Sequence, residues 1–114
     1  PEHCVAYVGT HDNDTALGWL KTAPEGDVAL AKTYFHETDE KAAARAMLAA
    51  IWDSRAELAI MQAQDILGLG SEARMNTPST VGENWRWRAK EESFTPELAA
   101  ELRREMEACG RLEK

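Results

Sequence analysis

Apolar positions along the chain alternate between short continuous runs and helical spacings. Val5-Ala6-Tyr7-Val8-Gly9 is a continuous apolar run that stops at a glycine, which predicts a buried parallel strand over 5–9. The polar residues Thr10 to Thr15 follow and lead into Ala16-Leu17-Gly18-Trp19-Leu20. That second run starts a helix, which Asp14 or Thr15 can cap and which Pro24 and Gly26 break after about Thr22. Asp27 is the expected cap of a second helix, with Val28, Leu30, Ala31, Tyr34 and Phe35 on its apolar side. Thr38, followed by Asp39 and Glu40, marks a third helix with negative charge in its first turn. It runs to about Asp53 and repeats Ala43, Met47, Ala50 and Ile51 at helical spacing. Residues 57–63 are ambiguous by periodicity, but their shortness and the stops at Gly68 and Gly70 favour a second strand. Loop residues dominate 68–93, a length more often functional or partner-bound than idle. The last helix is the best specified: Thr95 caps it, Pro96 occupies its first position, Leu98, Leu102, Met106 and Cys109 form its stripe, and Gly110 ends it.

The resulting order, strand, helices, strand, loop, helix, predicts an α/β fold with parallel strands. Polar residues at the end of strand 5–9 then have a particular meaning, because in α/β barrels the C-terminal ends of the strands open into one shared cleft. Two parallel strands do not close a sheet, and their edges and faces stay exposed unless other chain covers them. The pattern therefore leads to the expectation of a piece of a larger enzyme, with residues preceding Pro1.

Composition narrows the partners. The chain has 114 residues, enough for one domain with a modest core. A net charge of −7 argues against nucleic acid and against an anionic membrane surface, both of which call for clustered Lys and Arg. No apolar stretch approaches the roughly 20 residues of a spanning helix, and Pro1-Glu2-His3 does not begin a secretory signal. Cys4 and Cys109 have neither metal-ligand nor redox spacing, and read as free thiols in a reducing cytoplasm.

Asp12 is the sharpest chemical candidate. A carboxylate at the mouth of a buried strand can serve as acid, base, nucleophile or substrate clamp, and it can equally cap the helix that follows. Asp14 reads as the better placed for capping. Strand geometry, continued through His11 and Asp12, would point their side chains to opposite faces. Asp12-Asn13-Asp14 begins like a calcium loop, but Ala16 and Leu17 occupy its fifth and sixth positions, where a ligand and a glycine are needed. Gly68-Leu69-Gly70 is no phosphate loop by itself, with Ala73 at the third glycine position. No metal and no cofactor is expected. Gln64 and Asp65 either face the cleft of Asp12 or cap the next turn. In Trp85-Arg86-Trp87-Arg88, alternation puts both indoles on one face, which suits packing better than stacking on a ligand.

Two long blocks carry a family resemblance. Gly9-Thr10-His11-Asp12-Asn13-Asp14-Thr15-Ala16-Leu17-Gly18-Trp19 resembles the signature of the amylomaltases, or disproportionating enzymes, which are 4-α-glucanotransferases. The run Gln64 to Pro78, followed by Asn84-Trp85-Arg86-Trp87-Arg88, resembles the C-terminal region of that family. The resemblance implies a (β/α)8 barrel, of which strands 5–9 and 57–63 are the seventh and eighth and residues 1–114 the C-terminal part of the catalytic barrel. It implies retaining transfer of α-1,4-glucan segments between maltooligosaccharides, with the nucleophile and the acid/base on earlier strands, outside this chain. Asp12 corresponds to the third acid, which binds hydroxyls of the transferred sugar and steadies the transition state. His11 corresponds to its substrate-binding neighbour, and Asn76 lies in a matched loop as a further substrate contact. Two positions depart from the pattern: Ser79 stands where the family usually has glycine, and Gln62-Ala63 where it often has proline. The expected partners are α-1,4-glucans and the remaining barrel segments. The chain alone is expected to be inactive and prone to self-association, the rival reading being a non-catalytic folding or protein-interaction module.

Overall fold

The computed structural model describes residues 3–112. Two short strands, β1 (Val5–Tyr7) and β2 (Leu58–Ile60), pair in parallel with Val5 opposite Leu58, Ala6 opposite Ala59 and Tyr7 opposite Ile60. Between them run α1 (Ala16–Thr22), α2 (Glu25–Phe35) and α3 (Glu40–Trp52). After β2 come α4 (Ala63–Ile66), 3-10 turns at Ser71–Ala73 and Glu91–Ser93, and α5 (Pro96–Ala108).

The core is the crossing of α1 and α3. Ala16, Leu17 and Leu20 pack against Ala43, Ala44, Leu48 and Trp52, with Leu48 wholly buried. Val28 and Ala31 of α2, Ala59 of β2 and Leu102 and Met106 of α5 close around them. Helix starts follow local chemistry. Thr15 Oγ1 accepts from Gly18 N, Asp39 Oδ2 from Ala42 N and Thr95 Oγ1 from Leu98 N. At the other end, Gly110 adopts a φ of 76°, and Arg111 N donates back to Met106 O at 2.8 Å. The Arg111 guanidinium then reaches the carbonyls of Trp52, Ser54 and Ala56, which ties the end of α5 to the end of α3.

Several expectations are corrected. The strands are three residues each, shorter than 5–9 and 57–63. Nor are they buried: Val5, Tyr7, Leu58 and Ile60 are each about half exposed. A parallel sheet needs cover on both faces, and among the described residues the helices cover only the side of Ala6 and Ala59. Ala63, expected as the end of the second strand, instead opens the helical turn α4. Thr15, not Asp14, caps α1. Pro24 sits at the cap position of α2, which leaves Asp27 inside the first turn, and Leu30 and Tyr34 of its expected apolar side are largely exposed.

Candidate functional site

β1 ends at Tyr7, so the chain has already turned when it reaches the polar cluster. Asn13 N donates to Thr10 O at 3.0 Å, and Asn13 Oδ1 accepts from Thr10 N at 2.8 Å. Gly9 lies close beside this turn, where a Cβ would come within 3.1 Å of that of Asn13. The turn overrides strand alternation. His11 and Asp12 are on the same side, with His11 Nε2 3.4 Å from Asp12 Oδ2, and both side chains are about half exposed.

A second loop seats itself on this turn. Asn76 N donates to His11 O at 3.1 Å, and Asn76 Nδ2 donates to Asp12 Oδ1 at 2.7 Å. Arg74 Nη2 donates to Asp12 O at 2.7 Å, while Arg74 Nε donates to Asn76 O at 3.0 Å. Trp85 N donates to Met75 O at 2.7 Å, and the indole lies against the His11 ring, with centroids 4.9 Å apart. The Trp85 backbone has φ 62°, a conformation rare for a bulky residue. Trp85 is 55% exposed, so it is not the core residue that alternation suggested. The three residues singled out in the sequence, Asp12, His11 and Asn76, are thus brought together by direct contact.

Gln64 and Asp65 do not join them. Gln64 Nε2 donates to Ala73 O at 3.3 Å, and Asp65 Oδ1 accepts from Ala16 N at 2.7 Å, both in buried settings. Burial pushes the Asp65 carboxyl above its ordinary range; the Ala16 N–H opposes this shift and the nearby Asp14 charge adds to it. Asp14 Oδ2 accepts from Ser71 Oγ at 2.7 Å, a second bridge between the two loops. Gly18 packs into that bridge: a Cβ would lie 2.4 Å from Asp14 Oδ1 and 2.5 Å from Ser71 Oγ.

Sequence reasoning passed over Arg74 and the His11–Trp85 contact. Arg74 bonds to main-chain carbonyls, which leave no side-chain pattern to read. Its only signal was its place two residues before Asn76 in the second matched block.

A family model described as 4-alpha-glucanotransferase matches residues 1–94, which include every residue of this cluster. The chain belongs to the 4-alpha-glucanotransferase family. It is similar to a 4-alpha-glucanotransferase of Clostridium butyricum, 44% identical over 113 residues, which cover 98% of this chain and 23% of that protein. A Thermus thermophilus 4-alpha-glucanotransferase is 42% identical over 113 residues, 95% of this chain and 23% of the relative. Among solved structures, an amylomaltase from Streptococcus agalactiae in complex with acarbose superposes with a TM-score of 0.86 at 30% identity. That match covers 96% of this chain and 22% of the other. The chain therefore spans under a quarter of the length of these family members.

Proposed function

We propose that this chain is the C-terminal part of the catalytic barrel of a 4-α-glucanotransferase, with β1 and β2 as its seventh and eighth strands. The parallel pairing of β1 with β2 through intervening helices supports this, as does the exposed apolar face that a complete barrel would cover. The substrates are maltooligosaccharides and α-1,4-glucans, handled in the cytoplasm by a retaining double displacement. In the first step a carboxylate attacks the anomeric carbon while a carboxylic acid gives its proton to the departing glycosidic oxygen. In the second step the hydroxyl of an acceptor sugar attacks the same carbon, yields its proton to the acid/base and releases the nucleophile. Both of those carboxyl groups lie outside this chain.

Asp12 supplies the third carboxylate. It binds hydroxyls of the sugar being transferred and offers negative charge to a centre that becomes positive in the transition state. Asn76 holds one carboxylate oxygen through Nδ2, which leaves the other oxygen, beside His11, for the sugar. His11 adds a ring nitrogen to the same hydroxyl-binding edge. The observation that carries this reading is the Asn76–Asp12 hydrogen bond, which joins the two family-matched blocks at the end of β1. The test is chain-length redistribution from maltotriose by a full-length enzyme carrying this segment, compared with its Asp12→Asn variant. Undiminished redistribution in the variant overturns the assignment.

A further inference from the structure

We propose that Arg74 is a positioning residue that sets the orientation of Asp12 and Asn76 for transfer, a role that rests on the reading of those two residues above. The geometry is a two-point clamp. Nε and Nη2 lie on one edge of the guanidinium, and that edge serves two carbonyls, Asn76 O at 3.0 Å and Asp12 O at 2.7 Å. The planar fork fixes the spacing between the two carbonyls, which a lysine ammonium, a single point donor, does not do.

The carbonyls belong to the two residues whose side chains meet at 2.7 Å. Arg74 thus fixes the peptide planes from which both side chains depart, without itself touching the carboxylate of Asp12. The surrounding backbone is loop on both sides. Residues 8–15 and 74–90 contain no helix and no strand. Between the two segments, Asn76 N to His11 O is the other main-chain tie at this point. A catalytic carboxylate on a loop loses turnover steeply when displaced by even about 1 Å, so a clamp at its own peptide bond acts on chemistry more than on substrate binding.

The experiment measures kcat and KM for maltotriose disproportionation, and thermal midpoints, for a full-length enzyme carrying this segment. The variants are Arg74→Lys, Arg74→Gln, Asn76→Ala, the Arg74→Lys/Asn76→Ala double and Asp12→Asn. Arg74→Lys is expected to lower kcat about 10- to 100-fold, with KM and the midpoint little changed. Arg74→Gln, which removes both the charge and the two-point fork, is expected to do the same. In the Asn76→Ala background the further loss on Arg74→Lys is expected to stay within about twofold, because the two residues act on one geometry. Wild-type kcat in both Arg74 variants overturns the proposal, as do losses that multiply in full or that follow a collapse of the midpoint. If Asp12→Asn is inactive while the Arg74 variants are unimpaired, only this proposal falls. If Asp12→Asn is fully active, the reading of the site falls and takes this one with it.

Discussion

Asp65 caps a helix to which it does not belong. Its Oδ1 accepts from Ala16 N, the first residue of α1, at 2.7 Å and across 49 positions of sequence. The first turn of α1 is therefore held twice, by Thr15 from within and by Asp65 from α4. Because α1 carries Ala16, Leu17 and Leu20 into the core, this bond anchors the helix that follows directly on the candidate site.

The bond predicts different outcomes for two substitutions of Asp65. Asp65→Ala leaves the Ala16 N–H buried without an acceptor and is expected to cost about 1–3 kcal/mol. Asp65→Asn keeps an acceptor and is expected to cost less. Their pH dependence has a definite sign. Burial raises the Asp65 carboxyl above its ordinary value of 3.8, so the folded state holds the proton more tightly than the unfolded state. That contribution is fully present below 3.8 and is lost as pH rises through the folded pKa. The wild type should therefore gain on Asp65→Asn as pH falls from neutral toward 4, as read from thermal midpoints at each pH. A gap that widens in favour of the variant on acidification contradicts the desolvation argument.

At the site, Asp12→Asn in the full-length enzyme is expected to lower kcat about 100- to 1000-fold, the usual scale for removing one electrostatic stabiliser of a transition state. His11→Ala is expected to cost less, because it removes a hydrogen bond rather than a carboxylate facing a developing positive centre. Steady-state kinetics on maltotriose checks the order. A larger loss in His11→Ala reverses the two roles.

What the sequence made legible was local. Thr95 caps α5 through a partner three positions on, Pro96 opens it, and α5 runs over Pro96–Ala108 close to its expected span; at α1 and α3 the start was legible but the cap fell one residue later than expected, on Thr15 and Asp39. The two matched blocks also brought out Asp12, His11 and Asn76, which the fold places in contact. What stayed hidden depends on distant chain. Strand length is set by pairing partners, and among the described residues β1 and β2 have only each other, so both stop after three residues. That early stop frees His11 and Asp12 from alternation and sets them side by side. Asp65, Arg74 and Trp85 each act across loops on backbone or ring partners that periodicity does not encode.

Gly18 offers a test of the bridge between the loops. Alanine is favoured over glycine inside a helix by about 1 kcal/mol, so a surface view of α1 predicts stabilisation. The packing predicts the opposite, since the added Cβ would lie 2.4 Å from Asp14 Oδ1 and 2.5 Å from Ser71 Oγ. Gly18→Ala should lower the thermal midpoint, and Ser71→Ala combined with it should recover part of the loss. A midpoint raised by Gly18→Ala alone would show that the Asp14–Ser71 bridge yields at little cost.

Ser79 adopts φ 64°, a left-handed conformation that favours glycine, at the position where the resemblance leads to the expectation of glycine. The turn is thus of the glycine type with a side chain carried at some strain. Ser79→Gly is expected to stabilise by up to about 1 kcal/mol, the strain relieved being partly offset by the greater freedom of glycine in the unfolded chain. The check is the thermal midpoint, and a fall would mean that the Ser79 side chain contributes more than its backbone costs.

The last prediction concerns the 114 residues by themselves. Val5, Tyr7, Leu58 and Ile60 form one apolar face of the β1–β2 pair, each 48–55% exposed, and both outer edges of the pair lack a strand among the described residues. Apolar burial is worth roughly 25 cal/mol per Å², so this face and its open edges favour pairing with any available copy. The isolated chain should self-associate or remain partly ordered, as read by light scattering and by the cooperativity of its unfolding. It should also leave maltotriose unchanged, because in the proposed assignment Asp12 supplies charge stabilisation but neither the nucleophile nor the acid/base of a retaining transfer. A monodisperse, cooperatively unfolding monomer contradicts the structural half. Chain-length redistribution above a no-enzyme control contradicts the other, and would require a nucleophile within these residues.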